Sequence, residues 1–226
     1  MENSTPDLTW LIEHILPKGE LLIVQSPSCV GRSLLLLDWA FCHATGKPWF
    51  GHHVGSGSVA YCSSEKLQGL GGRARAWYTT YESEIDLPVS QTPISFYELG
   101  TLSDDNYFIA TEQLTEEIAA LPETPSLIVL DVLTTDERKA RVLAYRLWQQ
   151  FGTTVLLTST SGTYDNIVQL IPLEQSSEQR FLLRLPSKYS APPLQLRLQS
   201  VSPSDKDFPL ADATSYIIEC EGQQSA

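Results

Sequence analysis

The stretch LLIVQSPSCVGRSLLLLDWAFCHA, residues 21–44, decides how the chain is read. Leu21-Leu22-Ile23-Val24 is a continuous apolar run, the pattern of a strand buried on both faces. Ser26 to Arg32 is a loop of small and turn-forming residues. Ser33 to Ala44 is apolar and long enough for a helix, which Gly46 and Pro48 end. Strand, small-residue loop and helix in that order predict a parallel α/β unit.

Outward from that unit the alternation continues. Before it, residues 8–15 (LTWLIEHI) have the spacing of a short amphipathic helix, followed by a turn at Pro17-Lys18-Gly19. After it come strands at 58–63 (SVAYCS), 94–97 (ISFY), 127–130 (LIVL) and 154–158 (TVLLT). Helices are expected at 69–81, 107–121 and 137–151. Beyond Thr163, the runs 167–173, 180–185, 194–201 and 215–220 alternate apolar and polar residues, as antiparallel strands do. The expected fold class is α/β: a mostly parallel central sheet flanked by helices, with an antiparallel C-terminal extension. We expect one domain over 1–226, with its core over about 9–163 and C-terminal strands over about 164–220.

Composition narrows the function. The chain has 226 residues, 42% of them hydrophobic and 19% charged, which suits a folded globular protein. Its net charge of −12 argues against a protein that coats DNA nonspecifically. The densest basic run, Arg138-Lys139-Arg141, reads as a solvated helix face. No run of about eighteen apolar residues predicts a membrane span, and MENSTPDLTW lacks the features of a secretory signal. A cytoplasmic location is expected. Cysteines 29, 42, 62 and 220 form no C-x-x-C pair and read as reduced thiols. His52-His53 reads as loop, and most of Trp10, Trp39, Trp49, Trp77 and Trp148 as core packing.

The loop 26–33 (SPSCVGRS) stands where a phosphate-binding P-loop, G-x-x-x-x-G-K-[ST], would stand. Gly31 and Ser33 fit the pattern; Ser26 replaces its first Gly and Arg32 its Lys. Backbone N–H groups at a helix N-terminus bind phosphate oxygens whatever the side chains. Ser33 keeps a hydroxyl for Mg²⁺. Arg32 keeps a positive charge, but as a planar fork instead of a compact ammonium. If the turn needs φ > 0 at position 26, serine there costs about 1 kcal/mol. Glu65 after one strand and Asp131 after a later one would join the loop at the carboxyl edge of the sheet, where open α/β sheets bind ligands.

Four segments resemble a known family, the RepA-type, replicative-helicase-like branch of RecA-fold ATPases. WLIEHILPKGELLIVQSPSCVGRS (10–33) is similar to its opening W-L-x(5)-P-x-G-x-L-x-x-x-x-G-P-x-x-x-G-K-S. LDWAFCHATGKPWFG (37–51) is similar to L-D-L-A-x-x-x-A-x-G-x-P-W-x-G, the most specific of the four. GSVAYCSSEKLQGLGGRARAW (57–77) and SLIVLDVLTT (126–135) resemble G-x-V-L-Y-x-x-x-E-x-x-x-G-L-x-x-R-x-x-A and L-x-V-I-D-T-L. The resemblance implies a RecA-like fold that binds ATP with Mg²⁺. Ser26, Pro27, Ser28, Cys29, Val30, Gly31, Arg32 and Ser33 would wrap the triphosphate. Ser33 and Asp131 would serve the metal, and Glu65 would be the catalytic carboxylate.

The departures cluster at the nucleotide edge. The family's V-L-L-V-H-H-x-G-K is here VLLTSTSGT (155–163), with Ser159 and Thr160 for the histidines and Thr163 for the Lys. The stretch after Asp131 is shortened to TTDERKA (134–140). Lys188 is the nearest match to a C-terminal basic pair that reaches a neighbour's nucleotide; Arg184 and Arg197 are the other basic candidates. Two readings stay open. One is an ATP-binding protein with weak or absent hydrolysis, assembled as a homo-oligomeric ring and linked to DNA replication or recombination, with at most weak DNA contact. The other is a catalytically dead pseudo-ATPase that acts as a protein-interaction or regulatory scaffold.

Overall fold

A computed structural model describes residues 9–27, 31–99, 106–132, 136–173, 179–189, 191–201 and 215–221. A short hairpin opens the chain, β1 (Trp10–Ile12) and β2 (Leu16–Pro17). Then follow β3 (Leu21–Gln25), α1 (Arg32–Thr45), β4 (Val59–Ser63), α2 (Leu67–Tyr81), β5 (Ile94–Glu98) and α3 (Tyr107–Ala119). The chain continues through β6 (Leu127–Asp131), α4 (Glu137–Phe151), β7 (Thr154–Ser159), β8 (Ile167–Pro172), β9 (Arg180–Arg184), β10 (Leu194–Val201) and β11 (Ser215–Cys220).

Nine strands form one sheet in the order β11-β10-β9-β8-β3-β7-β6-β4-β5. The six from β8 to β5 pair in parallel, and β8 to β11 antiparallel. This is the RecA-like α/β arrangement that the sequence predicts. The continuous apolar strands are continuous because both faces are covered. Leu22 and Val24 pack with α1 and α2, whereas Ile23 packs with α3 and α4. Leu127 and Val129 divide from Ile128 and Leu130 in the same way. The C-terminal strands alternate because most of their buried residues (Val168, Leu170, Phe181, Leu183, Leu196 and Ile218) join the α1–α2 side; Ile217 of β11 is buried outside that cluster.

The helix expected at 8–15 is not formed. Leu11, Ile12, Ile15 and Leu16 are buried, but in a hairpin whose turn places His14 at φ 60. Apolar pairs four residues apart suit a helix stripe and a tight hairpin equally, so spacing alone did not decide.

The segment 37–51 owes its pattern to Asp38. This buried carboxylate accepts from Trp49 Nε1 at 2.7 Å and Trp77 Nε1 at 2.6 Å, one indole on each oxygen. Burial raises its pKa from 3.8 to about 6 against the two indole N–H groups and Lys47. Trp39, Trp49 and Trp77 are buried, while Trp10 and Trp148 are half-buried. Cys42 and Cys62 are buried thiols; Cys29 lies outside the described residues. No helix among the described residues is long and apolar enough to cross a membrane.

Candidate functional site

The sheet's topology brings the C-terminal ends of β3, β4, β6 and β7 to one edge, and the candidate residues gather there. Of the loop after β3, Ser28, Cys29 and Val30 lie outside the described residues; Ser26, Pro27, Gly31, Arg32 and Ser33 are described. Gly31 caps α1 at φ 78 and, having no side chain, offers the first-turn N–H groups no cap bond of its own. Leu198 of β10 lies against it: a Cβ at Gly31 would stand 3.2 Å from Leu198 Cδ1. Ser26 is buried and is not among the positive-φ residues. The left-handed turn falls at Gly31, so serine at position 26 carries no strain of that kind.

Two donors from this loop meet one acceptor. Ser159 O, at the end of β7, accepts from Ser26 N at 3.2 Å and from Arg32 Nη1 at 2.9 Å. The cation that stands in the lysine's place therefore reaches sideways to the neighbouring strand.

Ser33 and Asp131 are joined through a third residue. Tyr61 of β4 has its hydroxyl 3.1 Å from Asp131 Oδ2, to which it donates, and 3.4 Å from the backbone carbonyl of Ser33. Burial, then the Asp131 charge, holds the phenol well above its ordinary range, so it keeps its proton. Asp131 is 7% exposed. Its position is fixed from both sides: Ser64 N donates to its carbonyl at 3.2 Å, and Thr158 Oγ1 accepts from the next peptide, Val132 N, at 3.0 Å.

Glu65 lies just beyond β4, its backbone N–H donating to Ser63 Oγ at 3.0 Å. Its carboxylate is half-exposed and ion-paired with Arg73 of α2. It folds over Gly69, where any Cβ would collide with Oε1. Arg73 is close enough for its charge to act on the Tyr61 hydroxyl. Glu65 thus shares the edge with Ser33 and Asp131, but its charge is matched by Arg73.

The loop after β7 is held by a residue the sequence reading passed over. Glu137, first in α4, accepts from Thr160 N at 3.1 Å, Thr160 Oγ1 at 2.9 Å, and Ser161 Oγ and Tyr164 Oη at 3.3 Å. Burial works against its charge, but the Thr160 backbone and hydroxyl donors outweigh it and hold the carboxyl below its usual range. Gln25 Nε2 donates to Gly162 O at 2.9 Å from the other side. Among the basic candidates of the C-terminal strands, Lys188 pairs with Glu20 at 2.9 Å and Arg197 is ion-paired with Glu219. Arg184 Nη1 reaches Gln169 Oε1 at 3.5 Å.

The residues missed by the sequence reading are Tyr61, Arg73 and Glu137. Tyr61 and Arg73 stand at fixed positions of the motif over 57–77, which was the available signal. Glu137 had none. A groove of about 830 Å³ along α2, lined by Ala74, Tyr78, Ile85 and Val89, is bordered by none of the loop residues.

Comparison with known proteins agrees with the fold. A family model described as AAA domain matches residues 1–136, more than half of the chain. No curated protein matches. Among solved structures, a KaiC-like protein from the hyperthermophilic archaeon Pyrococcus horikoshii OT3 is similar over 92% of this chain and 93% of its own. The TM-score is 0.58 and the identity 13%, so the likeness is one of fold.

Proposed function

The chain belongs to the AAA domain family, and from that premise we propose that it is a RecA-like ATP-binding protein of the replicative-helicase-like, RepA-type branch. Its P-loop is degenerate and its ATP hydrolysis weak or absent. The observation that carries this reading is the bond from Arg32 to Ser159 O. In a working P-loop the lysine is available to the β- and γ-phosphates. Here the cation must first leave a charge-assisted hydrogen bond worth about 1.5–3 kcal/mol, which lowers affinity and transition-state binding alike.

The residues fit a magnesium–nucleotide. The N-cap of α1 is Gly31, which has no side chain to cap the first-turn N–H groups, and such a helix start suits phosphate oxygens. The Ser33 backbone carbonyl and the Asp131 carboxylate both lie against the Tyr61 hydroxyl, which sets the first turn of α1 beside the end of β6, as a metal shared by Ser33 and Asp131 would need. Mg²⁺ would neutralise charge developing on the phosphoryl oxygens. Ser33 and Asp131 would hold it, Arg32 would contact phosphate, and Glu65, once parted from Arg73, would accept a proton from water.

A second reading has its own observation. With Arg32 on Ser159 O and Glu65 ion-paired with Arg73, both charged groups that hydrolysis needs already have partners. That favours a pseudo-ATPase scaffold. We place the protein in a homo-oligomeric ring or a complex with a protein partner, in DNA replication or recombination. The net charge of −12 leaves only weak, salt-sensitive contact with DNA.

Isothermal titration with Mg-ATP and with ADP, followed by a turnover assay, tests the reading. A micromolar dissociation constant with slow or no turnover is expected. No heat at high ligand concentration would overturn ATP binding in favour of the scaffold, and rapid turnover would overturn the degenerate site.

A further inference from the structure

We propose that Tyr61 is a positioning residue for Asp131, its hydroxyl fixing which carboxylate oxygen is presented to a nucleotide-bound metal ion. The inference rests on the reading of Ser33 and Asp131 as the magnesium-holding pair. Tyr61 is fully buried, in register with Val129 on β6, two residues before Asp131. Tyr61 and Asp131 are therefore diagonal neighbours on one face of the sheet, the face that α1 covers. From there the phenol reaches past Val129 and lays its hydroxyl between the carboxylate and the first turn of α1.

Packing alone does not call for this hydroxyl. The ring sits among Phe96 and the aliphatic core, where phenylalanine would fill the same space. A buried hydroxyl is retained at a cost unless it is bonded, and here its acceptor is the carboxylate. With Oδ2 held by Tyr61, the free choice left to Asp131 is Oδ1. A carboxylate fixed in this way does not rotate away from the ion, and hydrogen bonds to metal-ligating carboxylates set their orientation and affinity. The Ser33 carbonyl lies 3.4 Å from the same hydroxyl, so the turn that carries the Ser33 side chain stands beside the held carboxylate.

The test is Tyr61→Phe, which removes one oxygen atom. ATP affinity is titrated against Mg²⁺ concentration and again in excess EDTA. The expected result is a loss of ~10–100-fold in Mg²⁺ half-saturation, with the EDTA affinity unchanged to within about two-fold. A lower melting midpoint with unchanged half-saturation would show a purely structural hydroxyl and overturn the proposal. Asp131→Asn probes the bond from its other end. The carboxamide oxygen still accepts from Tyr61, so the packing contact survives, and the metal dependence should vanish; if it persists, the proposal fails. Should wild-type affinity be independent of Mg²⁺, the metal-site reading itself fails, and the proposal with it. That outcome is distinct from a Mg²⁺-dependent wild type that Tyr61→Phe leaves unaltered.

Discussion

Arg32 Nη1 donates to the carbonyl oxygen of Ser159 at 2.9 Å, crossing from the first turn of α1 to the end of β7. The same carbonyl accepts from Ser26 N, so the two positions at which this loop departs from the P-loop pattern converge on one atom. Ser26 contributes its backbone N–H, which glycine would also supply, so of the two substitutions only Arg32 adds a bond to this carbonyl.

Arg32→Lys should raise ATP affinity by about tenfold. An ammonium keeps the charge without the planar fork that reaches Ser159, and the bond forgone is worth about 1.5–3 kcal/mol. Because Ser26 does not occupy the left-handed region, adding Ser26→Gly should bring no further gain. Competition binding with a fluorescent ATP analogue checks this. Equal affinity for wild type and Arg32→Lys would mean that the Ser159 bond does not oppose phosphate.

Glu65→Gln should leave ATP affinity intact and reduce whatever turnover exists by at least about 100-fold, the contribution of a positioned general base. The lost pairing with Arg73 should cost little stability, about 0–1 kcal/mol for a half-exposed ion pair. Phosphate release measured under saturating ATP decides it, and retained turnover refutes the assignment.

Asp38 predicts a pH dependence of folding. A carboxyl whose folded pKa is raised binds more protons folded than unfolded. Its stabilisation is therefore greatest below the unfolded value and is lost as pH rises through the window from 3.8 to about 6. The loss is on the order of 2–3 kcal/mol. Asp38→Asn should be less stable than wild type near pH 4 by about 1–3 kcal/mol, since a carboxamide cannot accept well from both indoles. The gap should narrow by pH 7, because the variant has no charge to bury. Urea midpoints across that range test it, and a gap independent of pH would remove Asp38 as the cause.

The sheet was legible because its evidence is local. Continuous runs such as Leu127–Leu130 predict strands covered on both faces, and the alternation at 194–201 predicts one covered face. Helix α4 was read at its observed bounds, Glu137–Phe151. The hairpin at 10–17 was not legible, since its apolar spacing suits a helix as well and only the turn at His14 separates them. At the candidate site, residue types were readable and their bonds were not. Arg32 and Ser159 are separated by 127 positions, and Tyr61 and Asp131 by 70. No periodicity encodes such pairings; strand order brings them together. The loop over Ser28, Cys29 and Val30 lies outside the described residues, and its expected role in wrapping the triphosphate rests on the resemblance.

The most direct measurement is the thermal shift of wild type and Arg32→Ala, each with and without Mg-ATP. The account predicts a nucleotide-dependent rise in the wild-type melting midpoint that Arg32→Ala abolishes, while its midpoint without nucleotide falls with the loss of the Ser159 bond, about 1.5–3 kcal/mol. An equal nucleotide-dependent rise in both proteins, or none in the wild type, would contradict the claim that Arg32 and the α1 N-terminus form an ATP site.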